Sequence, residues 1–597
     1  MRGLSTGPRR ITNAAAFAVG AVFLAGAAGT AGAQPATPSE DIAFLPPRLR
    51  LPDGAPALPR PLSAADAEAV RGMLAAYAVG DVDEAAALQA GLRSELLLGE
   101  LAAQRFILRP EQASLPELQA WFDRNISLPQ APAIHALMGA RAPRGTVLPA
   151  LPARDVDDRI DPEESLPDLG QIRNAGLDHA VLDAARRGRA DTVIRLLKIS
   201  HITPAYRAEL AAEAARAALV AGDDASVRAI ADDAGTRTPQ AADTSFAAGL
   251  ADWRAGEVVA AAARFEAAWH AAIATPAERA AASFWAARAH LRSGDPAAYA
   301  PWMRRAAAEP RSLYGLLARR ALGAGIGFVV DDATLGVADI DAVAAQPAGL
   351  RAFAWLQVGQ SALAEADLQS LWPQLRANAA MARAVLLIAR DAGLDTISAR
   401  LANLQQMRDG RLHDDARFAL PAFAAGQSLR VDPPLIYAIA RVESHFDPHA
   451  VSPMGARGLM QLRPQTIAFI NGFADTADLA RRLHEPGYNI EMGQRLLQYL
   501  ARLDVVGHDL VRLIASYNAG PGNLQKWLDD GRGRDDPLLF IETIPLDETR
   551  HFVTSVLRNS WMYAARMHRQ PAGLDELAAG AWPKFDADAR AEVVTLH

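Results

Sequence analysis

The sequence predicts a mainly α-helical protein, in which an N-terminal α-superhelical solenoid is followed by linker helices and by a helix-rich C-terminal unit. Half of the 597 residues are apolar and 22% are charged, a balance typical of folded globular proteins. Much of the apolar fraction is alanine, which favours helix. Glycine-containing turns recur at nearly constant spacing in the first half, and the length suggests several folded units.

Residues 1–33 have the pattern of a secretory signal. Three arginines precede an apolar run, and Ala31-Gly-Ala33 supplies a small-residue cleavage site. We therefore predict export and a periplasmic location. No cysteine follows the apolar run to carry a lipid, and no later segment reaches about 18 apolar residues, the length that spans a bilayer. The proline-rich residues 34–61 predict an extended linker.

Residues 62–325 predict the superhelix. From position 188 onward, turns centred on glycine recur at intervals of 34, 34 and 38 residues, close to the period of tetratricopeptide-like helix pairs. Each pair buries its apolar face only against its neighbours, so the pairs predict a curved solenoid. By itself such a region favours an interaction scaffold. A new helix is expected after each of these glycines: Gly188, Gly222, Gly256 and Gly294, with Gly80 marking an earlier member.

Residues 326–410 predict a second helical set, the linker domain. Helical spacing of apolar residues is found at Leu350–Val358, Ala362–Leu371 and Met381–Gly393. The glycine-rich run at 323–327 follows a predicted helix rather than a strand. It therefore predicts a helix end and a linker instead of a dinucleotide-binding loop.

Residues 411–570 predict the C-terminal unit, which is organised around a helix that begins at Pro433. Asp432 is a favourable N-cap, and proline is tolerated at the first helical position. The apolar spacing that follows places Glu443 on the edge of the buried stripe. Pro448 disfavours helix beyond this point, so Glu443 lies in the last turn. Burial and the negative end of the helix dipole both raise the pKa of Glu443, which suits a general acid.

The next segment, Ser452-Pro-Met-Gly-Ala-Arg-Gly-Leu-Met-Gln461, predicts a tight loop that closes against the end of this helix. Together with Glu443-Ser-His-Phe-Asp-Pro, it resembles the catalytic signature of the soluble lytic transglycosylases, lysozyme-like enzymes of bacterial cell-wall metabolism. Three further blocks follow in the order of that family: Glu485–Gly493, Ala515–Asn523 and Ile541–Arg550.

The resemblance implies a lysozyme-like catalytic domain, around which the superhelix and the linker domain close as a ring. It implies non-hydrolytic cleavage of peptidoglycan between N-acetylmuramic acid and N-acetylglucosamine, with Glu443 acting as acid and then as base. The substrate's own N-acetyl group would stabilise the sugar cation, the product would be a 1,6-anhydro sugar, and no cofactor is implied. Phe284, Trp285 and Tyr314 lie in superhelix segments that resemble those of the family, and we predict that they form core between repeats.

The resemblance also implies five residues at the substrate. Ser452 and Gln461 would hold the acid and the sugar by hydrogen bonds, Tyr517 and Asn518 would line the cleft, and Glu548 would bind sugar polar groups near the cleavage point. Residue type alone leaves other interpretations open. Ser452 suits a helix cap, and Gln461 and Asn518 suit hydrogen bonds to loop backbone groups. Tyr517 suits the core, and Glu548 suits an ion pair with Arg550.

Two positions depart from the family pattern. Arg463 stands where the family often has an apolar residue near the cleft, and Leu497 replaces an often aromatic position. His445 and His449 flank Asp447 and suggest metal ligands. A proline between the two histidines breaks the helix that would place both imidazoles on one face, so we predict no metal site.

Two other functions remain open at this stage. A lysozyme-type hydrolase would need a second carboxylate from Asp447, Glu485 or Glu548. A periplasmic repeat scaffold would carry an inactive catalytic domain, against which the intact Glu443 and its loop argue. We expect a monomer whose partners are peptidoglycan glycan strands and cell-wall enzymes; a net charge of −7 does not suggest nucleic acid. No cysteine is present, which excludes disulfides, and residues 571–597 form an uninterpreted tail.

Overall fold

The computed structural model describes residues 57–152, 173–237, 242–421, 428–472, 476–533, 535–586 and 592–593. The predicted signal segment and most of the proline-rich segment lie outside these residues. Within them the fold is mainly α-helical, as predicted, with two short strands. None of the helices described here has the length and apolarity of a bilayer-spanning segment.

The first helices pack against a part of the chain that comes much later. The amide of Leu62 donates to Oε1 of Gln357 at 3.0 Å, and Nε2 of Gln357 donates to the carbonyl of Leu62 at 2.9 Å. Arg351 also pairs with the buried Glu100 at 2.6 Å. One apolar core therefore joins the start of the described chain to the linker helices. The helices of this first region are α1 (Ala64–Val79), α2 (Val82–Ala90), α3 (Leu98–Leu108), α4 (Leu115–Asn125) and α5 (Ala131–Arg141), with a 3-10 turn at Pro110–Gln112.

The predicted repeat turns are confirmed: one lies between α1 and α2, and four lie among the next nine helices. All five glycines have positive φ, between 67° and 86°, a conformation that a Cβ atom disfavours, and a helix begins two residues after each. The helices are α6 (Ala175–Arg186), α7 (Ala190–Ile199), α8 (Pro204–Ala221), α9 (Asp224–Arg237), α10 (Ala242–Ala255), α11 (Val258–Trp269), α12 (Pro276–Arg292), α13 (Pro296–Ala307) and α14 (Leu313–Ala321).

The linker region contains six helices, three of which match the predicted segments to within a few residues. No strand precedes the glycine-rich run 323–327 in the described chain; α14 does, so the interpretation of this run as a helix end and linker is confirmed. The helices are α15 (Val337–Ala344), α16 (Pro347–Gln357), α17 (Ser361–Gln369), α18 (Trp372–Ala377), α19 (Ala379–Asp391) and α20 (Asp395–Asp409).

The C-terminal region is built around α22, which packs along α29. Its apolar core is continuous with that of the repeats, so the two regions share one buried interior. The elements are α21 (Asp414–Arg417), β1 (Ser428–Leu429), α22 (Pro433–Ser444), α23 (Pro464–Asn471), α24 (Thr476–Arg482), α25 (Pro486–Ala501), α26 (Leu510–Ala519), α27 (Pro521–Asp529), α28 (Pro537–Glu542), α29 (Asp547–Arg566), α30 (Leu574–Ala578) and β2 (Glu592–Val593).

The tail that the sequence left uninterpreted contributes to this region. Strand β2 pairs antiparallel with β1, which precedes α22. Helix α30 contacts α14 of the repeats, and Asp575 pairs with Arg320 across this contact. The last residues described therefore connect the repeats to the region that carries Glu443.

Candidate active site

Helix α22 begins where the sequence predicts but is not capped as expected. Asp432 is the N-cap residue, yet its side chain makes no capping hydrogen bond. Pro433 and Pro434 fill the first two helical positions and have no N–H to offer. The first available amide, that of Leu435, donates to the carbonyl of Asp432 at 3.0 Å. The proline φ angles therefore set the start of the helix.

The body of α22 is held in the core by its buried face. Residues 433–441 are all buried, including Arg441, which donates to Asp395 at 2.8 Å and to the carbonyl of Arg417 at 2.7 Å. The hydroxyl of Tyr437 donates to the carbonyl of Pro421 at 3.0 Å. A helix fixed along this length presents its last turn, and Glu443 with it, in one orientation.

The helix ends through two consecutive left-handed residues, His445 with φ 49° and Phe446 with φ 64°. Such φ values are unfavourable for residues with a Cβ atom. Packing supports them: the ring of Phe446 is buried against Tyr437 and Tyr563. The hydroxyl of Ser444 donates to the carbonyl of Leu459 at 2.7 Å. This bond ties the helix end to the loop that follows.

Asn489 organises that loop and received no role from the sequence. It is fully buried; its Nδ2 donates to the carbonyls of Arg457 at 2.9 Å and Leu483 at 2.7 Å, and its Oδ1 accepts from the amide of Met460 at 2.9 Å. The only sequence signal for a role of Asn489 was its position in the block Glu485–Gly493, which resembles the family. A Cβ atom on Gly458, which has φ 72°, would lie 2.2 Å from the carbonyl oxygen of Leu483, so only glycine fits beside Asn489.

Glu443 lies one residue before the end of α22 and is partly buried. Burial, and next the charge of Glu548, raise the pKa of Glu443 to about 8. The sequence predicted the effect of burial but not the contribution of Glu548. No hydrogen bond to Glu443 is found within the described part of the chain. Its carboxyl is therefore protonated at neutral pH and available to a ligand.

Tyr517 lies close enough to Glu443 for the carboxylate to raise its pKa, after burial as the larger cause. Its hydroxyl donates to the carbonyl of Met460 at 2.7 Å, and its ring stacks on Phe552 at 6.0 Å between centroids. Tyr517 thus connects α26, α29 and the loop beside Glu443. Its hydroxyl oxygen keeps acceptor capacity while its proton is used in the loop.

Ser452 and Gln461 make contacts within their own loop. Oγ of Ser452 accepts from the amide of Ala456 at 3.0 Å, so Ser452 caps a turn of the loop rather than a helix. Nε2 of Gln461 donates to the carbonyls of Ala450 at 3.2 Å and Gly458 at 2.9 Å, and its φ is 45°. These bonds leave Oε1 of Gln461 and the Ser452 proton for other partners.

Asn518 is bonded to the start of α29, the turn that carries Glu548. Oδ1 of Asn518 accepts from the hydroxyl of Thr549 at 2.6 Å. Glu548 is exposed in the first turn of α29. Arg550, the alternative ion-pair partner of Glu548, pairs with Asp547 instead, at 2.7 Å. Glu548 and Tyr517 therefore each lie within electrostatic range of Glu443, and Asn518 follows Tyr517 in the chain.

The remaining predicted features make contacts of their own. Arg463 is exposed and Leu497 is buried in the core. His449 stacks on His484 at 5.9 Å, and Nδ1 of His445 lies 3.6 Å from Asp395. Among the residues that the structure describes, no three histidine, aspartate or glutamate side chains are grouped to hold a metal ion.

A cavity of about 460 Å³ lies between the linker helices and the end of α22. Glu365, Asp395, Ser444 and His445 line it, and Glu443 does not. Burial raises the pKa of Glu365 to about 7. This cavity therefore lies beside the candidate site and is separate from it.

The fold and the site define a helical-repeat protein whose C-terminal domain carries a protonated glutamate at a helix end. Residues 421–540 match the Transglycosylase SLT domain family, so this part of the chain is a transglycosylase SLT domain. The chain is 39% identical over 137 residues to the soluble lytic murein transglycosylase of Salmonella typhimurium, and 38% identical over 140 residues to that of Escherichia coli. Each similarity covers 21% of the relative and 23% or 22% of this chain.

Solved structures extend the similarity in fold to most of the chain. The 70-kDa soluble lytic transglycosylase of Escherichia coli matches 87% of this chain and 99% of its own, with a TM-score of 0.50 at 16% identity. An inactive glutamate-to-glutamine mutant of lytic transglycosylase Slt from Pseudomonas aeruginosa matches 85% of this chain and 98% of its own, with a TM-score of 0.51 at 19% identity. The mainly α-helical, superhelical fold predicted from the sequence is therefore confirmed.

Proposed function

We propose that the protein is a lytic transglycosylase that cleaves the β-1,4 bond between N-acetylmuramic acid and N-acetylglucosamine in peptidoglycan. The observation that carries this proposal is the protonated Glu443 at the end of α22, with a pKa of about 8, inside a transglycosylase SLT domain. Relatives at 38–39% identity over this region are soluble lytic murein transglycosylases. The chemistry below follows from what one such carboxyl can do.

In the first step Glu443 donates its proton to the bridging oxygen as the glycosidic bond breaks. Its raised pKa keeps this proton in place at neutral pH. Positive charge develops at C1 of the muramic sugar, and the substrate's N-acetyl oxygen stabilises it. Glu443 is then a carboxylate.

In the second step this carboxylate accepts the proton of the muramic C6 hydroxyl. The C6 oxygen attacks C1 and closes the 1,6-anhydro ring, so the N-acetyl group is released and Glu443 regains its proton. One residue acts as acid and then as base, and no water is consumed. A basic carboxyl suits both steps, because a pKa near 8 makes Glu443 a stronger base than an ordinary carboxylate once it has lost its proton.

The neighbouring residues take substrate-binding roles in this proposal. Tyr517 and Asn518 line the site, Gln461 offers Oε1 to a sugar hydroxyl, and Ser452 offers its remaining proton. Glu548 is exposed near Glu443 and binds sugar hydroxyl groups as an acceptor. We place the protein in the periplasm as an exported monomer, working on glycan strands together with other cell-wall enzymes.

A lysozyme-type hydrolase remains the second candidate. Of its three possible second carboxylates, Glu548 acts on Glu443 electrostatically. Asp447 accepts from the amide of His449 at 2.8 Å in its own turn, and Glu485 is the exposed N-cap residue of α25. The hydrolase alternative therefore depends on Glu548 as the group that activates water.

Digestion of purified peptidoglycan followed by mass spectrometry tests both candidates. A transglycosylase releases muropeptides lighter by one water than those of a hydrolase, whereas a hydrolase releases reducing ends. Bulgecin A provides a second arm of the test, because a 70-kDa soluble lytic transglycosylase of similar fold has been solved in complex with it. We expect anhydro products and inhibition by bulgecin A. Reducing-end products alone would favour the hydrolase, and no products at all would favour the scaffold.

A further inference from the structure

Residues 535–548 form a segment of the SLT-containing region that leads directly to Glu548. We call it the anchored segment. It contains α28 and the first two residues of α29. Two of its acidic residues make hydrogen bonds to the helical repeats, to residues that lie more than 200 positions earlier in the sequence.

The first anchor is Asp536, the N-cap of α28. Its Oδ1 accepts from the amides of Leu538 at 3.1 Å and Leu539 at 3.3 Å. Its Oδ2 accepts from Arg288 of α12 at 3.0 Å and from the indole of Trp253 of α10 at 3.3 Å. One carboxylate thus caps the helix with one oxygen and binds the repeats with the other.

The second anchor is Glu542, the last residue of α28, which is 6% exposed. The hydroxyl of Tyr314, from α14, donates to its Oε1 at 2.6 Å. Arg216, from α8, donates to its carbonyl oxygen at 2.9 Å and to Oε2 at 3.5 Å. Burial, and next the charge of Glu542, raise the pKa of Tyr314 well above its usual value, so its proton stays in this bond.

The chain between Glu542 and Glu548 has little freedom. The hydroxyl of Thr543 donates to the carbonyl of Leu539 at 2.7 Å, and Ile544 is fully buried. The first turn of α29 is in turn bonded to the site through the hydroxyl of Thr549, which donates to Asn518 at 2.6 Å. A displacement of Glu542 is therefore passed on to the residues beside Glu443.

We propose that Tyr314 and Arg216, which lie in the helical repeats, are positioning residues for the reaction: by holding Glu542 they fix the first turn of α29, and so place Glu548 and Asn518 relative to Glu443. This inference rests on the proposed transglycosylase activity. It gives the superhelix a role in assembling the site in addition to any role in binding glycan. The charged groups facing Glu542 are Arg216 and Arg550, and the charged group acting on Glu443 is Glu548.

Tyr314→Phe in the full chain is the test variant. It removes the hydroxyl and keeps the ring, which packs against Phe284 at 5.2 Å between centroids. Tyr206→Phe is the matched control, because Tyr206 is also a buried tyrosine of the repeats, bonded to Asp178 and Asn174 within the repeats. Glu548→Gln and the double variant Tyr314→Phe/Glu548→Gln complete the set.

We measure kcat, KM and the pH profile of glycan cleavage for each variant. We expect Tyr314→Phe to lower kcat by about tenfold, an effect of the size that misplaced active-site groups produce. Its alkaline limb should move to lower pH, as for Glu548→Gln, because in both the Glu548 charge no longer raises the pKa of Glu443. The double variant should show no larger shift than Glu548→Gln alone, and Tyr206→Phe should have the profile of the unaltered protein.

A Tyr314→Phe protein with unaltered kcat and pH profile would overturn the inference, as would a pH shift that adds fully to that of Glu548→Gln. If Tyr314→Phe is not folded by circular dichroism, Arg216→Gln is read by the same criteria. Failure of the proposed function gives a different result, because the unaltered chain would then release no anhydro product. If the unaltered chain does release it, the kcat values and pH profiles of the variants test the positioning role alone.

Discussion

Two regions of this molecule contain buried or partly buried carboxyl groups, and the charged side chains beside these groups differ between the two regions. Near the linker helices they face arginine: Asp414 accepts from Nε of Arg311 at 2.5 Å, and Asp395 accepts from Arg441 at 2.8 Å. In the candidate site, the charge that acts on the partly buried Glu443 is another carboxylate, Glu548. The first arrangement stabilises an anion, and the second stabilises a proton on the acid.

A raised pKa alone does not distinguish the two regions. Glu100 and Asp367 share Arg351, and burial still raises their pKa values to about 7 and about 6. Both are nearly inaccessible, at 2% and 0% exposure. Glu443 differs because it is accessible and because, within the described chain, no arginine pairs with it. Access for a ligand together with a missing counter-ion marks the candidate acid.

The largest expected effect is the loss of activity when Glu443, the acid without an arginine partner in the described chain, is replaced. Glu443→Gln removes the transferable proton and keeps the side-chain shape, so we expect cleavage of peptidoglycan to fall by about 10²–10⁴-fold. Release of anhydro-muropeptides measures the rate. Glu485→Gln is the matched control, because Glu485 is exposed at the start of α25 and should retain full activity. Unchanged turnover in Glu443→Gln would remove the acid assignment.

In the region near the linker helices, where buried carboxylates face arginine, we expect a loss of stability instead of activity. Arg311→Gln leaves Asp414 buried without its counter-ion, and breaking a buried ion pair from one side costs about 3–5 kcal/mol. Urea unfolding followed by circular dichroism measures the loss. The control is Arg495→Gln, an exposed residue paired with Glu491 at 2.9 Å within α25, for which we expect about 0.5 kcal/mol or less. Equal losses in both variants would contradict the distinction between the regions.

Features that depend on neighbouring residues were predictable from the sequence. The repeat glycines adopt positive φ and start new helices, as their spacing predicts. The prolines at the start of α22 and before residue 449 correctly placed Glu443 in the last helical turn. Burial of Phe284, Trp285 and Tyr314 is also confirmed. These outcomes follow from caps, φ preferences and helical periodicity, which are local properties.

Features that depend on distant partners were not predictable. The bond between Tyr314 and Glu542 joins residues 228 positions apart, and Asn489 reaches back to Met460 across 29 positions. The residue type of Tyr314 predicts a place in the core but does not specify which acid accepts its proton. The pairing of β2 with β1 likewise escaped detection, because two-residue strands leave no alternating pattern to detect.

Replacing Glu443 with glutamine should stabilise the folded protein at pH 7, whereas Arg311→Gln should destabilise it. The folded pKa of about 8 lies above the usual 4.5, so the folded state holds the proton more tightly and loses stability as pH rises between these values. Glu443→Gln removes this cost, and we expect a gain of about 1–3 kcal/mol at pH 7. The gain should vanish below about pH 4, where both states are protonated. Urea unfolding at the two pH values measures it, and an equal gain at both would contradict the assigned pKa.

The smallest effect is the pH dependence of cleavage in the unaltered protein. Glu443 must carry its proton to act as acid, so kcat/KM should halve near pH 8 and then fall about tenfold per pH unit. An acid at its ordinary pKa would lose activity from about pH 4.5 upward. The profile of released anhydro-muropeptides between pH 4 and 10 therefore reports which environment the working acid occupies. A midpoint below about pH 5 would show that the working acid has an ordinary pKa, and the assignment of Glu443 as a carboxyl that is protonated at neutral pH would be wrong.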